Sequence, residues 1–249
     1  APPEIYTLSL HDALPICVEL DGLEVVEGKT FRWHGEYKNL NKAETLLTEL
    51  NVFADFSPKL PSNCVSCHSL LLAIIHPRLQ LKVLEQTANY THVACDTMSY
   101  WIKGCPEDLL EVIKRVHIVF MNEDEIREFT ESKDIFSAAR RILDKGPKLV
   151  VIKRGEYGSV AISHDDMFFA PAYPLELVKD PTGAGDSFAG AFMGILEGHQ
   201  ALDMKLVREA IRYSTVMAAL NVSEFSVNGL IDLDLCEIEK YKEQLVAWT

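Results

Sequence analysis

Positive charge is scarce in this sequence: 24 Lys and Arg stand against 37 Asp and Glu, a net charge of −13 over 249 residues. Nucleic-acid backbones and anionic membranes both reward basic patches, so neither is expected as the main partner. Long apolar runs are missing as well. No run approaches the ~20 residues that cross a bilayer, and a cytoplasmic address is expected. Cysteine is sparse, six residues in all, and with no recognisable export signal these read as reduced thiols rather than a disulfide framework. There is no Gly-Lys-Ser/Thr phosphate loop and no third glycine completing a dinucleotide fingerprint. Internal repeats, low-complexity tracts and linkers are also absent. What remains, 48% apolar and 24% charged, is the composition of an ordinary globular chain built on one sizeable core.

The first residues form a separate case. Glu4–Ile16, "EIYTLSLHDALPI", holds no Lys or Arg, and His11 and Asp12 interrupt its apolar residues, so it reads neither as a secretory signal nor as a transit peptide. It does resemble a common sequencing-library adapter translated in frame, residue for residue, with Cys17 completing the codon at the join. Residues 1–17 are therefore expected to be non-native, and natural sequence to begin at Val18.

From Val18 onward short β-type runs alternate with longer amphipathic ones. "TFRWHGEY" (30–37) reads as a strand, while "KAETLLTELNVFADF" (42–56) is divided between helix propensity through Leu50 and extended structure. "LLLAII" (70–75), "HVACD" (92–96), "HIVFMN" (117–122) and "KLVVIK" (148–153) read as buried strands. Between them, "PRLQLKVLEQ", "PEDLLEVIKRV", "NEDEIREFTE" and "FSAARRILDKG" read as helices. This alternation predicts an α/β fold with a mainly parallel sheet and helical crossovers. Residues 155–172 break the rhythm as a hairpin turning at 164–166, and three helices follow, at 184–198, 204–221 and 235–248. In such sheets ligands collect at the carboxyl ends of the strands, which places "VFMNEDE", "VIKRGEYG" and "VKDPTGAGDSF" on one rim.

"DPTGAGDSFAGAFMGIL", starting at Asp180, is the most informative stretch. Gly183 and Gly185 permit a tight turn and close backbone approach, and the small and apolar residues that follow keep helical spacing. A turn of this kind aims N–H groups outward from the positive end of a helix, which suits an anion. Asp186 sits in the middle of that site. A bare carboxylate there would repel a phosphate unless it accepts a proton from an attacking hydroxyl. The competing reading makes Asp186 a helix cap and the glycines a simple turn.

"DPTGAGDSFAGAF" closely resembles the second signature of the PfkB/ribokinase family of carbohydrate and nucleoside kinases. Other motifs occur in the family's order. "NEDE" (122–125) resembles its Asn-x-x-Glu, "IKRGEYG" the turn before the nucleotide, "ALNVSEFSVNGL" the loop beside the adenine, and "CDTMSYWI" the segment after a central strand. The resemblance implies a ribokinase-like α/β fold with a small β lid, at about 25–56, over an ATP-dependent kinase site. It implies Asp186 as catalytic base and the N–H groups of Gly183, Ala184, Gly185 and Asp186 as an anion hole. Asn122 and Glu125 would organise Mg2+ through water, and Asp180 with the Thr182 carbonyl would contribute to a monovalent-cation (K+) site. Lys153, Gly155, Gly158, Asn221 and Gly229 would lie along the nucleotide. The acceptor would be a sugar, with a nucleoside or a catalytically silent ligand-binding relative as alternatives, and a homodimer could form through the lid.

Several residues keep two readings. Asn122 and Glu125 also form a helix cap and first-turn acid, Lys153 also reads as a solvated strand-end charge, and Asp96 reads as a phosphate-network member or a turn cap. Phe31 and Trp33 read as substrate contacts or strand packing. "CVSCH" (64–68) matches the spacing for covalent haem attachment, and its cysteine pair alternatively has a redox or metal role, or none in a surface loop. "AIIHP" departs from the commoner Asn-bearing family version around Ile75 and His76. The family's first strand, its early substrate-binding Asp and its Gly-Gly turn have no counterpart here. On this reading 18–249 is a kinase domain that begins partway through its fold, and the chain as it stands is expected to be poorly stable and to bind sugar weakly.

Overall fold

The computed structural model describes residues 19–39, 42–86 and 90–249, so the adapter-like stretch lies outside the described residues. Six strands form one sheet: β3 (Ser69–Leu72), β4 (His92–Cys95), β5 (Ile118–Asn122), β6 (Leu149–Lys153), β7 (Ser159–Ile162) and β8 (Met167–Ala170). They lie side by side in chain order. Pairing is parallel from β3 to β6 and antiparallel through β7 and β8, as the hairpin at 155–172 predicts.

The central strands are apolar along their length because helices cover both faces. Val119, Met121, Val150 and Ile152 point into one core with α3 (Pro106–Ile113), α4 (Glu123–Thr130) and α5 (Ile135–Leu143). Their alternate neighbours Ile118, Phe120, Leu149 and Val151 point the other way, against α6 (Ala184–Leu196) and α7 (Met204–Ser223). Phe120 anchors that second core, with Phe188 and Phe192 edge-on at 6.4 and 5.3 Å. Helices α1 (Pro77–Glu85), α2 (Ser99–Gly104) and α8 (Leu235–Ala247) complete the set among the described residues.

The divided segment 42–56 resolves by parts. Lys42–Glu49 forms β2, antiparallel to β1 (Arg32–Asn39), and Trp33 donates its indole N–H to Thr45 across the pair at 3.1 Å. The lid strands are therefore shorter than 25–56. At Asn51 the backbone turns left-handed (φ 49°), its side-chain amide donates to the Thr30 carbonyl, and Asn51–Asp55 coils into a 3-10 turn over stacked Phe53 and Phe56. "LLLAII" also ends early, at Leu72. The buried amide of Gln80 donates to the carbonyls of Leu72, Ala73 and Asp96, which draws the chain into a turn before Pro77 opens α1. Helix α2 has no counterpart in the sequence pattern.

Candidate active site

The carboxyl ends of β4, β5 and β6 deliver Asp96, Asn122 and Lys153 to one rim, and the loop 180–183 brings the start of α6 beside them. Lys153 and Asp96 form the centre. The ammonium lies 2.5 Å from Asp96 Oδ2, and the two side chains are 17% and 2% exposed. Asp96 Oδ1 accepts from the Thr97 N–H at 2.9 Å. Lys153 is thus a largely buried, paired cation rather than a solvated strand-end charge. Its Nζ also fills the space beside Gly185, where a Cβ would meet it at 3.0 Å.

Three carboxylates surround this single ammonium. Burial pushes the Asp186 carboxyl above its usual range, with the attraction of Lys153 working against the shift and Asp96 adding to it. Burial likewise pushes Glu125 up to about 7, opposed by Lys153 and by the Asn122 N–H. For Lys153, burial disfavours the ammonium, but Asp96, Glu125 and Asp186 outweigh it and hold the group charged. Asn122 and Glu125 form a complete capping box: Asn122 Oδ1 accepts from the Glu125 N–H and Glu125 Oε2 from the Asn122 N–H, both at 2.8 Å. The helix-cap reading of these two residues is therefore realised, and it also fixes the Glu125 carboxylate toward Lys153.

Gly183 takes a left-handed backbone (φ 81°) at the N-cap of α6. Gly185 and Asp186 follow at the second and third helical positions, where N–H groups have no carbonyl one turn earlier to bond. Ala184 departs from the expected set, since its N–H reaches back to the Pro181 carbonyl at 3.4 Å. Behind the loop, Asp180 accepts from the Thr182 N–H at 2.9 Å and from the Ser226 N–H at 3.4 Å. Asn221 donates to the Ser226 carbonyl, while its buried Oδ1 has no hydrogen-bond partner among the described residues and lies 3.1 Å from where a Cβ on Gly183 would be. Asn221 is thus placed under the turn at Gly183.

The other glycines have backbone reasons of their own. A Cβ on Gly158 would sit 1.9 Å from the Ala170 carbonyl, and one on Gly229 would sit 2.0 Å from the Leu220 carbonyl. Gly155 (φ 56°) opens the 3-10 turn Gly155–Tyr157 that leads from β6 to Gly158. From the lid, Tyr37 reaches the 180–183 loop: its hydroxyl accepts from Thr182 Oγ1 at 3.3 Å. Burial first, with Asp180 and Asp186 adding to it, raises this phenol above its usual value. Trp33 lies folded over Gly35, and Phe31 meets Phe53 edge-on at 5.7 Å, so both pack within the lid. Gln80 and Tyr37 went unread in the sequence. A buried amide on an amphipathic helix and an aromatic on a strand carry no local signal of their partners.

"CVSCH" lies at the opposite rim. Ser62–Ser66 makes a 3-10 turn, Cys64 and Cys67 are free, and His68 Nδ1 is 3.2 Å from Glu197 Oε1, the same carboxylate that accepts from the backbone of His68 and Ser69. His68 thus docks the loop onto the end of α6. Among the described residues no helix is long and apolar enough to cross a membrane.

The sequence pattern of the pfkB family carbohydrate kinases matches residues 35–232. Cytidine kinase of Thermococcus kodakarensis is 32% identical over 188 residues, 73% of this chain and 66% of that one, so the chain spans just under two thirds of that relative's length. In structure the chain is similar to ribokinase from Thermotoga maritima (TM-score 0.67, 21% identical, 88% of this chain and 71% of that one). It is also similar to a ribokinase II from E. coli described in complex with ATP and Mg2+ (TM-score 0.63, 20% identical, 82% and 68%). The match over 35–232 and the ribokinase-like sheet agree, and the chain belongs to the pfkB family of carbohydrate kinases.

Proposed function

We propose that this protein transfers the γ-phosphoryl group of ATP to an alcohol hydroxyl of a sugar, with Asp186 as the base. The observation that carries the reading is the position of Asp186: a carboxylate fixed at the third residue of α6, where a left-handed Gly183, open N–H groups and the neighbouring Lys153 otherwise make a site for negative charge. The acceptor hydroxyl attacks the γ-phosphorus and its proton passes to Asp186. The raised affinity of that carboxyl for a proton suits the task. The N–H groups of Gly183, Gly185 and Asp186, with Ala184 once its turn contact is released, donate to the oxygens of the transferred group. Lys153, held by Asp96, is a fixed positive charge beside them, and Gly155, Gly158, Asn221 and Gly229 shape the backbone along the nucleotide.

Mg2+, when bound, neutralises charge on the triphosphate. The residues suit it, since Asp96, Glu125 and Asp186 put hard oxygen donors in excess of one ammonium. Glu125, oriented by Asn122, would hold the ion through water. Asp180, the Thr182 carbonyl and the orphaned Asn221 Oδ1 suit a K+ ion behind the anion turn. Leu46, Leu47 and Phe31 remain exposed on the lid, which favours pairing of two copies there.

A nucleoside acceptor is the second reading, favoured by the 32% identity to a protein named cytidine kinase. ADP formation from Mg·ATP in the presence of individual sugars and nucleosides tests both. Acceptor-dependent ADP release identifies the class. Nucleotide binding with no turnover on any acceptor would leave a ligand-binding relative and sink the catalytic reading.

A further inference from the structure

Away from the kinase centre, His76, Cys105 and Asp108 each turn one ligand-type atom into a common space, all within 4.8 Å of one another and partly buried. We propose that these three side chains form a binding site for a borderline transition cation, Zn2+ by preference, that clamps the loop after β3 to the helices after β4.

The spacing supports it. His76 Nε2 and Cys105 Sγ are 3.5 Å apart. Tetrahedral zinc, with bonds of about 2.0 Å to nitrogen and 2.3 Å to sulfur, sets two such ligands about 3.5 Å apart. One edge of the tetrahedron is therefore already formed, and the Asp108 carboxylate stands within 4.8 Å of both atoms as the third ligand. The ligands are also held in place by their surroundings. His76 is the N-cap of α1, followed by Pro77, and its ring lies against Trp101 at 4.8 Å. Cys105 is the N-cap of α3 and Asp108 its third residue, the position that an N-cap side chain faces. Arg78 donates Nε to Asp108 Oδ2 at 2.7 Å, the outer contact that orients a ligating carboxylate. A thiolate, imidazole and carboxylate together are a borderline donor set, which selects zinc over the all-oxygen preference of Mg2+. None of the three residues takes part in the phosphoryl-transfer chemistry proposed above, so this inference stands independently of it.

One contact opposes loading and supplies a signature. His76 Nδ1 accepts the Arg78 N–H at 3.1 Å, so in the metal-free neutral ring the proton sits on Nε2 and points at Cys105. On loading, Nε2 gives its lone pair to the metal, the ring proton moves to Nδ1, and the Cys105 thiol releases its own proton to solvent. The Arg78 N–H then loses its acceptor. A single cap hydrogen bond is a small loss against three metal–ligand bonds.

The test is a titration of chelator-stripped protein with Zn2+ and Co2+ in a Cys64→Ser/Cys67→Ser background, which removes the other cysteine pair. One equivalent should bind, with a thiolate-to-cobalt charge-transfer band, a rise in Tm, and a shift of the Arg78 amide in a 15N spectrum. His76→Asn keeps an N-cap acceptor while deleting the ligand, and should weaken zinc by more than the roughly 10–100-fold expected for an outer partner such as Arg78→Met. Asp108→Asn provides a second deletion that leaves the cysteine in place. Unchanged affinity in His76→Asn and Asp108→Asn, absence of the thiolate band, or loss of binding in the Cys64/Cys67 background would each overturn the site.

Discussion

Removing the positive charge at the centre of the rim is, after substitution of Asp186, the most informative perturbation. Lys153 and Asp96 meet at 2.5 Å with side chains 17% and 2% exposed. Their attraction at an effective dielectric constant of about 20 is roughly 6–7 kcal/mol. Desolvation of the two ions, several kcal/mol each, consumes most of that, so the intact pair is near neutral for stability. Deleting one partner is different, because the desolvation remains and the attraction goes. Lys153→Met leaves Asp96, Glu125 and Asp186 facing one another with no counter-charge, and should cost about 3–5 kcal/mol. Asp96→Asn should cost less, about 1–3 kcal/mol, because Lys153 keeps Glu125 and Asp186. The double variant should then be more stable than the sum of the two losses implies, with a coupling energy of about 2 kcal/mol or more. Urea unfolding at neutral pH, followed by fluorescence of the three tryptophans, measures all four corners of the cycle. Additivity within about 0.5 kcal/mol would refute a specific buried pair.

Three further outcomes follow from the packing. Phe192→Ala removes a fully buried ring that sits edge-on to Phe120, and should lower stability by about 3–5 kcal/mol in the same unfolding assay. Gly158→Ala puts a Cβ 1.9 Å from the Ala170 carbonyl at a φ of 84°; soluble expression or Tm should collapse, whereas a wild-type Tm would contradict the backbone crossing at β8. His117 accepts the Val93 N–H through Nδ1, and burial first, then Lys148 and His92, lowers its pKa below 6.5. The unfolded chain therefore binds a proton that the folded chain resists. Stability contributed by this group is present above about pH 6.5 and falls away as pH drops below it. His117→Gln should flatten that part of the stability–pH curve, and an unchanged slope would remove His117 as its source.

The strand–helix alternation was legible because each central strand is apolar along its whole length and each following helix is amphipathic. Gly183 and Asp186 were legible because few turns combine two glycines, an acid and a helix start. The Asp96–Lys153 pair was not, although each residue by itself has a polar role open to it. They lie 57 positions apart, and their meeting depends on β4 and β6 flanking β5, a fact of sheet order that neither local sequence contains. The early end of "LLLAII" was hidden for a similar reason, since the turn is made by Gln80 reaching back from α1. Helix α2 escaped notice because Ser99, Tyr100 and Trp101 are weak helix formers, and burial of Trp101 against His76 holds it in place. In the lid, helix propensity pointed one way and cross-strand pairing the other. The ladder from Arg32–Glu49 to Asn39–Lys42 decided for strand.

The central claim is that Asp186 takes the proton of the acceptor hydroxyl. Single-turnover transfer from γ-labelled ATP to the accepted sugar or nucleoside, compared between the wild-type protein and Asp186→Asn, tests it directly. The substitution keeps the size and burial of the side chain and removes its basicity, so the transfer rate should fall by about 10²–10⁴-fold while ATP affinity changes little. Transfer at an equal rate in the two proteins would contradict the account.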